Sequence, residues 1–138
     1  ITKKICRSAA LIASGKQKEI VMGNVDISRD WGHAKDYAFA MWLSLQQENP
    51  DDYIFSTGTA HKLEEVLDLA FLRVGLNWRD FYSFDERFSR PLESRHLIGD
   101  PTKAREQLKW CPRYTFESMI EEMMDFEIEQ ARDSRCDY

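Results

Sequence analysis

The chain has 138 residues, of which 43% are hydrophobic and 31% are charged, a balance typical of a globular domain large enough to bury a core. Its net charge of -5 argues against non-specific nucleic-acid binding, which requires a basic surface. No apolar run is long enough to span a membrane. We therefore expect neither a nucleic acid nor a membrane as a partner.

The chain contains three cysteines, Cys6, Cys111 and Cys136, without a CxxC spacing. An odd number of isolated cysteines predicts neither a disulfide framework nor a zinc site, so we expect a reducing, cytoplasmic location and no metal. The chain opens at Ile1, in a stretch that already looks helical, and no signal peptide is recognisable. We expect it to be a portion of a longer protein.

The first half of the chain predicts two helices and two strands. Apolar residues alternate with Lys3, Lys4 and Arg7 over 2–14, which indicates a basic amphipathic helix, and 19–22 predicts a short strand before a Gly-Asn turn. A second helix is predicted from Ala34 to about Gln47, with a strand over 53–55. We interpret 34–58 as one helix-strand return that packs on a sheet whose other strands are absent from the chain.

The second half predicts three more helices. The best supported covers 63–74, with Glu64 and Glu65 in its first turn and Gly75 after it. Residues 76–99 predict a long, aromatic-rich loop, which is usually functional in a compact domain. Asp100-Pro101 indicates the start of a short helix through Leu108. A last helix begins at Thr115, and we expect the tail 129–138 to fray.

The predicted fold class is α/β, mostly helical, with too few strands for a self-contained sheet. No catalytic pattern is visible: the sequence lacks GxSxG, HExxH and P-loop motifs, and its histidines are far apart. It also lacks a glycine-rich turn between a strand and a helix, so no dinucleotide site can be assigned. We predict no catalytic and no cofactor-binding residues in this chain.

Two arginines are candidates for anion binding. Arg29 ends a predicted extended segment, where its planar guanidinium suits a phosphate, although a surface ion pair is commoner for an isolated arginine. Arg90 and Glu93 are held in a fixed relation by the intervening Pro91 and could bind a phosphate and a ribose hydroxyl. Taken alone, each pattern is more often structural.

Several segments together resemble GDP-mannose 4,6-dehydratase, a family of the extended short-chain dehydrogenase/reductase superfamily. The most specific is the run RDWGHAKDY from Arg29 to Tyr37, which distinguishes this dehydratase from its reductase and epimerase relatives. The others follow in the family's order over nearly the whole chain: Thr57-Gly58, Val74-Gly75-Leu76-Asn77-Trp78, Arg90-Pro91-Leu92-Glu93, Gly99-Asp100-Pro101-Thr102-Lys103-Ala104 and Trp110-Cys111-Pro112.

The resemblance implies a two-domain enzyme in which an N-terminal Rossmann domain holds NADP and the catalytic residues. The family oxidises C4 of GDP-mannose, eliminates water across C5 and C6 and returns the hydride to C6, giving GDP-4-dehydro-6-deoxy-mannose. This sequence matches only the C-terminal, substrate-binding portion, so 1–138 would be a sugar-nucleotide-binding part of a lyase. Without the Rossmann domain, this chain should not turn over substrate.

By position, the resemblance assigns Arg29 and Arg90 to the pyrophosphate and Glu93 to the ribose. Lys4 is a weaker candidate for the guanine end. His33 and Asp36 match the family, but we interpret them as structural residues at a helix start. The usual RYFRP of the family reads RFSRP here, with Ser89 in place of an aromatic residue.

Two other functions remain open at this stage. The chain could be a non-catalytic nucleotide-sugar-binding or protein-interaction module, or a remnant without a site. In either case we expect the face that normally meets the Rossmann sheet to be covered by that missing domain or by self-association.

Overall fold

A computed structural model describes residues 1–88 and 96–133. Arg90, Glu93 and the end of the predicted tail, 134–138, lie outside the described residues. The helices are α1 (Thr2–Ala13), α2 (Ala34–Ser44), α3 (Leu63–Leu72), α4 (Thr102–Leu108) and α5 (Phe116–Asp133). The strands are β1 (Ile20–Met22), β2 (Ser28–Arg29), β3 (His61–Lys62), β4 (Tyr82–Phe84) and β5 (His96–Leu97). Two single-turn 3₁₀ helices cover Trp78–Asp80 and Glu86–Phe88.

The main core lies between α1, α3 and α5. Each helix presents apolar side chains at intervals of three and four residues, and these faces meet in one cluster. Ile5, Phe71 and Met124 are completely buried there. Truncating such a side chain to alanine typically costs about 2–5 kcal/mol, so this cluster supplies much of the stability. The sequence pattern predicted all three helices.

Two small sheets cover one side of this core. β1 pairs in parallel with β4, with Ile20 opposite Tyr82. β2 is the middle strand of the second sheet, because it pairs antiparallel with β3 and in parallel with β5. Between the two sheets, Val25 and Ile27 pack against the main core, and the pairing of β2 positions the candidate site.

A second, smaller core lies between α2, α4 and the segment that follows α4. Trp110 is its largest buried side chain, and Ala40, Ala104 and Leu108 pack around it. The indole Nε1 of Trp110 donates a hydrogen bond of 3.1 Å to the backbone oxygen of Asp36, at the start of α2. The polar edge of the ring is therefore satisfied inside an otherwise apolar cluster.

The structure corrects the predicted strand at 53–55. Tyr53, Ile54 and Phe55 form no strand, and Ile54 is exposed. Gly99 lies close to Ser56 and Ile54, but a strand requires a ladder of backbone hydrogen bonds, and none is formed between 53–55 and another described segment. The residues pack instead through Tyr53 and Phe55 onto the smaller core.

Several helix ends also differ from the predicted ones. α2 ends at Ser44 rather than near Gln47, and α3 ends at Leu72, where Gly75 adopts a left-handed φ of 72°. Pro101 is the cap of α4 rather than its first residue, although the Asp100 carboxylate still binds the Thr102 amide at 3.0 Å. α5 remains helical to Asp133, so the expected fraying from residue 129 is wrong as far as the described residues extend. None of the described helices combines the length and the apolarity that crossing a membrane requires.

Candidate functional site

Arg29 lies at the centre of the three-stranded sheet. Its backbone is opposite His61 of β3 on one side and Leu97 of β5 on the other. Its guanidinium Nη1 donates a hydrogen bond of 2.7 Å to the backbone oxygen of Ser28. A middle strand is held on both edges, so the origin of this side chain is fixed more firmly than in a surface loop.

Asp30, the next residue, connects the sheet to the turn that contains Thr57 and Gly58. Its Oδ1 accepts hydrogen bonds from the amide and the hydroxyl of Thr57, at 2.9 and 2.6 Å, and its Oδ2 accepts one from the amide of Gly58 at 2.9 Å. Arg105 of α4 donates to the Thr57 carbonyl at 2.8 Å. Charge-assisted bonds of this kind are about twice as strong as neutral ones, so Asp30 is an anchor rather than a solvated carboxylate.

Gly32 is required by a close approach of Tyr37. A Cβ atom at position 32 would overlap the Tyr37 hydroxyl and lie 2.6 Å from its Cζ atom. Burial raises the pKa of Tyr37, and the nearby Asp30 and Asp36 carboxylates raise it further. The phenol therefore remains neutral at physiological pH and packs as an aromatic ring, stacked on Trp110 at 6.3 Å between centroids.

His33 begins α2, as the sequence indicated. Its Nδ1 accepts a hydrogen bond of 3.1 Å from the Lys35 amide, which caps the helix. Its other nitrogen, Nε2, lies 3.3 Å from Oε2 of Glu122, and its ring stacks on Tyr114 at 4.0 Å. A histidine whose two nitrogens are both engaged in this way is structural in the present arrangement, not a free acid or base.

Asp36 is buried and organises the segment before α5. One carboxylate oxygen, Oδ2, accepts hydrogen bonds from the amides of Arg113 and Tyr114 at 3.0 and 3.1 Å. The structural role that we assigned to this residue agrees with these contacts. The run from Arg29 to Tyr37 thus ties four separate parts of the chain together, and none of these long-range partners could be identified from the sequence.

Lys4 of α1 is the remaining described candidate for the binding site. Its Nζ donates a hydrogen bond of 2.5 Å to the carbonyl of Val21 and lies 4.5 Å from the centre of the Phe88 ring. Phe88 is the last described residue before the segment that contains Arg90 and Glu93, and β5, beside Arg29, follows that segment. Lys4 is therefore close to the start of the segment that contains Arg90 and Glu93, and Arg29 is close to its end.

The described residues do not fit a dinucleotide or a metal. β1 leads into a Gly-Asn turn and then into β2 rather than into a helix, so the strand–turn–helix arrangement of a pyrophosphate site is not formed within 1–88 or 96–133. Nor do three or more potential metal ligands come together in these ranges. What the arrangement offers is a guanidinium on a residue whose backbone is fixed on the middle strand of a small sheet, which suits an anion.

α2 and the extended segment after it carry exposed apolar side chains. Met41, Trp42 and Leu45 of α2 are 60%, 54% and 81% exposed, and Ile54 is 57% exposed. The sequence placed the three helix residues on one apolar face, which we expected to meet the missing sheet. Exposed side chains of this size at neighbouring positions are unusual on the surface of a monomer.

Comparison with known sequences gives one consistent family. A family model described as GDP-mannose 4,6 dehydratase matches residues 1–123. The chain is 46% identical to GDP-mannose 4,6 dehydratase 1 of Arabidopsis thaliana over 132 residues, which cover 96% of the chain and 37% of the relative. It is 37% identical to the Homo sapiens GDP-mannose 4,6 dehydratase over 149 residues, which cover 96% of this chain and 40% of the relative. The chain therefore spans well under half the length of these relatives.

Solved structures share the fold. The structure of RMD from Pseudomonas aeruginosa complexed with NADPH matches with a TM-score of 0.82 at 19% identity, over 94% of this chain and 42% of that one. The dTDP-glucose 4,6-dehydratase of Bacillus anthracis in complex with NAD matches with a TM-score of 0.73 at 21% identity, over 91% and 40%. Both structures match this chain at the level of the fold, which confirms the predicted fold class.

Proposed function

This chain belongs to the GDP-mannose 4,6-dehydratase family, and from this membership we propose that it is the sugar-nucleotide-binding, C-terminal portion of such a dehydratase. The observation that carries the proposal is the placement of Arg29 on the middle strand of a sheet, braced by Asp30 and next to the segment that contains Arg90 and Glu93. A phosphate ligand needs a guanidinium held in place, and these contacts supply one.

In this proposal Arg29 and Arg90 bind the pyrophosphate of GDP-mannose from two sides. Glu93 accepts hydrogen bonds from the ribose hydroxyls, and Lys4 lies toward the guanine end. Lys4 would exchange its bond to the Val21 carbonyl for one to the ligand, and its position over the Phe88 ring keeps it beside the segment. These residues bind and orient the substrate, and none of them takes part in the chemical steps.

The complete enzyme would convert GDP-mannose to GDP-4-dehydro-6-deoxy-mannose with NADP held by a separate Rossmann domain. NADP would accept the hydride from C4 and return it to C6. Because the described residues do not form a dinucleotide site, we assign no chemical step to this chain. We propose that the chain alone is inactive.

A second candidate function is an interaction module without catalysis. The exposed side chains of Met41, Trp42, Leu45 and Ile54 favour it, because they present an apolar surface that a partner would cover. In the dehydratase proposal the partner is the Rossmann domain, and in the isolated chain it is a second copy.

Calorimetric titration of the chain with GDP and GDP-mannose tests the first proposal. We expect weak binding, because one wall of the cleft is supplied by the other domain, and at least a tenfold loss in Arg29→Ala and Arg90→Ala, since a charged bond contributes about 1.5–3 kcal/mol. Arg79→Ala is the matched control, because this exposed arginine pairs with Asp68 at 3.2 Å, outside the proposed site. GDP affinity that is unchanged in both site variants would overturn the residue assignment. Binding lost in the control as well would show an unspecific charge effect.

A further inference from the structure

His61 lies directly opposite the candidate anion-binding arginine. In the antiparallel pair of β2 and β3, the register places Arg29 against His61. Opposite residues of such a pair extend their side chains from the same face of the sheet, with Cβ atoms about 4.5–5.5 Å apart. A ligand that reaches the Arg29 guanidinium is therefore close to the imidazole as well. The sequence did not identify His61 as a candidate, because only the strand pairing brings the two residues together.

The imidazole ring of His61 is held by two neighbours. Its face stacks on the ring of Phe116, the first residue of α5, with 3.9 Å between the centroids and 2° between the planes. Its Nδ1 lies 2.9 Å from Oε2 of Glu65, in the first turn of α3. Within 1–88 and 96–133 the other nitrogen, Nε2, takes part in no hydrogen bond, and the side chain is 21% exposed. The ring is thus fixed with one nitrogen left for a ligand.

Glu65 determines where the hydrogen lies on this ring. Its Oε1 accepts a hydrogen bond of 2.8 Å from the Lys62 amide. This bond, followed by the one to His61, lowers the pKa of Glu65, so the carboxyl group is ionised. An ionised carboxylate can only accept, so Nδ1 of His61 donates to it. Nε2 is then the nitrogen that can take up a second proton and donate it to an anion.

The charges around His61 support this proton uptake when an anion binds. The charged groups that face the ring are Arg29 on β2, Glu65 on α3 and Glu117 in the first turn of α5, and Lys62 follows on the same strand. A hydrogen bond from its own amide lowers the pKa of Glu117, so it is ionised as well. The two carboxylates stabilise an imidazolium and Arg29 opposes it. A diphosphate bound to Arg29 removes this opposition.

We propose that His61 is a further residue of the sugar-nucleotide site, in which Nε2 is protonated as the ligand binds and donates a hydrogen bond to a phosphoryl oxygen beside Arg29. The proposal rests on the proposed function, because the diphosphate is the group that we assign to Arg29. One proton passes from solvent to the imidazole, and no covalent bond of the ligand changes. Since binding takes up a proton, the affinity falls as the pH rises.

Titration calorimetry with GDP-mannose at pH 6 and pH 8 tests the proposal. GDP-mannose is the suitable probe, because its two phosphoryl groups each keep a single charge over this range, whereas the terminal phosphate of GDP titrates within it. We expect an affinity about fivefold higher at pH 6 than at pH 8. The heats in two buffers of different ionisation enthalpy should show proton uptake. Equal affinity at both pH values without proton uptake would overturn the proposal.

Two substitutions separate the ligand contact from the packing role of His61. His61→Asn keeps a donor near the position of Nδ1 for Glu65 but none at Nε2, so it should weaken GDP-mannose binding at pH 6 by about tenfold. His61→Gln keeps an uncharged donor near the position of Nε2, so its affinity should be the same at pH 6 and pH 8. His33→Asn is the matched control, because asparagine also caps a helix, and it should retain the pH dependence. A pH dependence that persists in both His61 variants, or that disappears in His33→Asn, would contradict the proposal.

Two-dimensional NMR of the imidazole nitrogens gives a readout that needs no folded variant. In the free chain at pH 7.5, His61 should carry its hydrogen on Nδ1, and addition of GDP-mannose should shift Nε2 toward the protonated form. A His61 Nε2 resonance that stays unchanged while the ligand binds would overturn the contact.

Arg29→Ala distinguishes this proposal from the proposed function. If GDP-mannose binding depends on Arg29 but is unaffected by pH and by His61→Asn, the proposed function stands and the role of His61 is wrong. If GDP-mannose does not bind, or binds equally well to Arg29→Ala, the proposed site is wrong and the His61 contact is wrong with it.

Discussion

Asp30 accepts both the amide and the hydroxyl hydrogen of Thr57 on one carboxylate oxygen, across 27 positions of the chain. This contact joins the end of β2 to the turn before β3, and it does so immediately after Arg29. The orientation of the candidate anion-binding residue therefore depends on a contact that belongs to its neighbour.

Replacing Asp30 by alanine should lower the free energy of unfolding by about 2–3 kcal/mol, because it leaves the Thr57 and Gly58 amides without their acceptor. Urea unfolding followed by circular dichroism measures the loss. Asp52→Ala is the control, since Asp52 is exposed and should change stability by less than about 0.5 kcal/mol. Equal effects in the two variants would contradict the anchoring role.

Gly32→Ala should destabilise the chain by about 1–3 kcal/mol, because the added methyl group overlaps the Tyr37 ring. Removing the hydroxyl with Tyr37→Phe should recover part of the loss, since the remaining Cζ contact is still 2.6 Å. A double-mutant cycle in thermal unfolding detects this coupling. Additive effects would show that the two residues do not clash.

Cys6 should resist thiol reagents and weaken the fold only at high pH. Burial raises its pKa from 9.0 to about 12, with a further contribution from the Glu127 charge. The folded state therefore keeps the proton above pH 9 while the unfolded state loses it, and stability falls between about pH 9 and 12. Peptide mapping after alkylation at pH 8 should label the exposed Cys111 first. Cys6→Ala should flatten the alkaline slope, and an unchanged slope would assign it to other groups.

Leu45→Lys should reduce self-association of the isolated chain, because Leu45 is 81% exposed on α2, near Met41 and Trp42 of the same helix. Leu72→Lys is the matched control: Leu72 is 74% exposed on α3 rather than on α2. Light scattering over a concentration series measures the mass. An unchanged chain that remains monomeric at high concentration, or an equal effect of both variants, would contradict this face of α2 as the contact.

The sequence predicted those elements of the fold that depend on local residue patterns. Apolar residues at helical spacing located α1, α3 and α5, and the cap at Thr115 is confirmed by its bond to the Ser118 amide at 3.1 Å. The predicted strand at 53–55 was wrong. Apolar residues of the β type fit the half-buried surface of a sheet, but they do not ensure that a neighbouring strand is present to pair with them. Periodicity also located α2, but it does not identify what the apolar face that carries Met41 and Trp42 packs against.

The candidate site could be predicted only in its residue types. The position of Arg29 after an extended segment and the family resemblance identified it without any coordinates. The supports of the site depend on contacts between distant segments, such as Asp36 with Tyr114, and local patterns carry no information about them.

The two apolar clusters have a consequence for how the chain opens. Among the described residues, the three-helix cluster contains sixteen buried side chains, whereas the cluster around Trp110 contains four and borders the exposed face of α2. Amide exchange should therefore occur at a lower free energy in α2 and α4 than in α1, as a separate cooperative unit. Asp30, next to Arg29, binds Thr57, which follows Phe55 of the smaller cluster by two residues, so a ligand held by Arg29 should slow the opening of that unit.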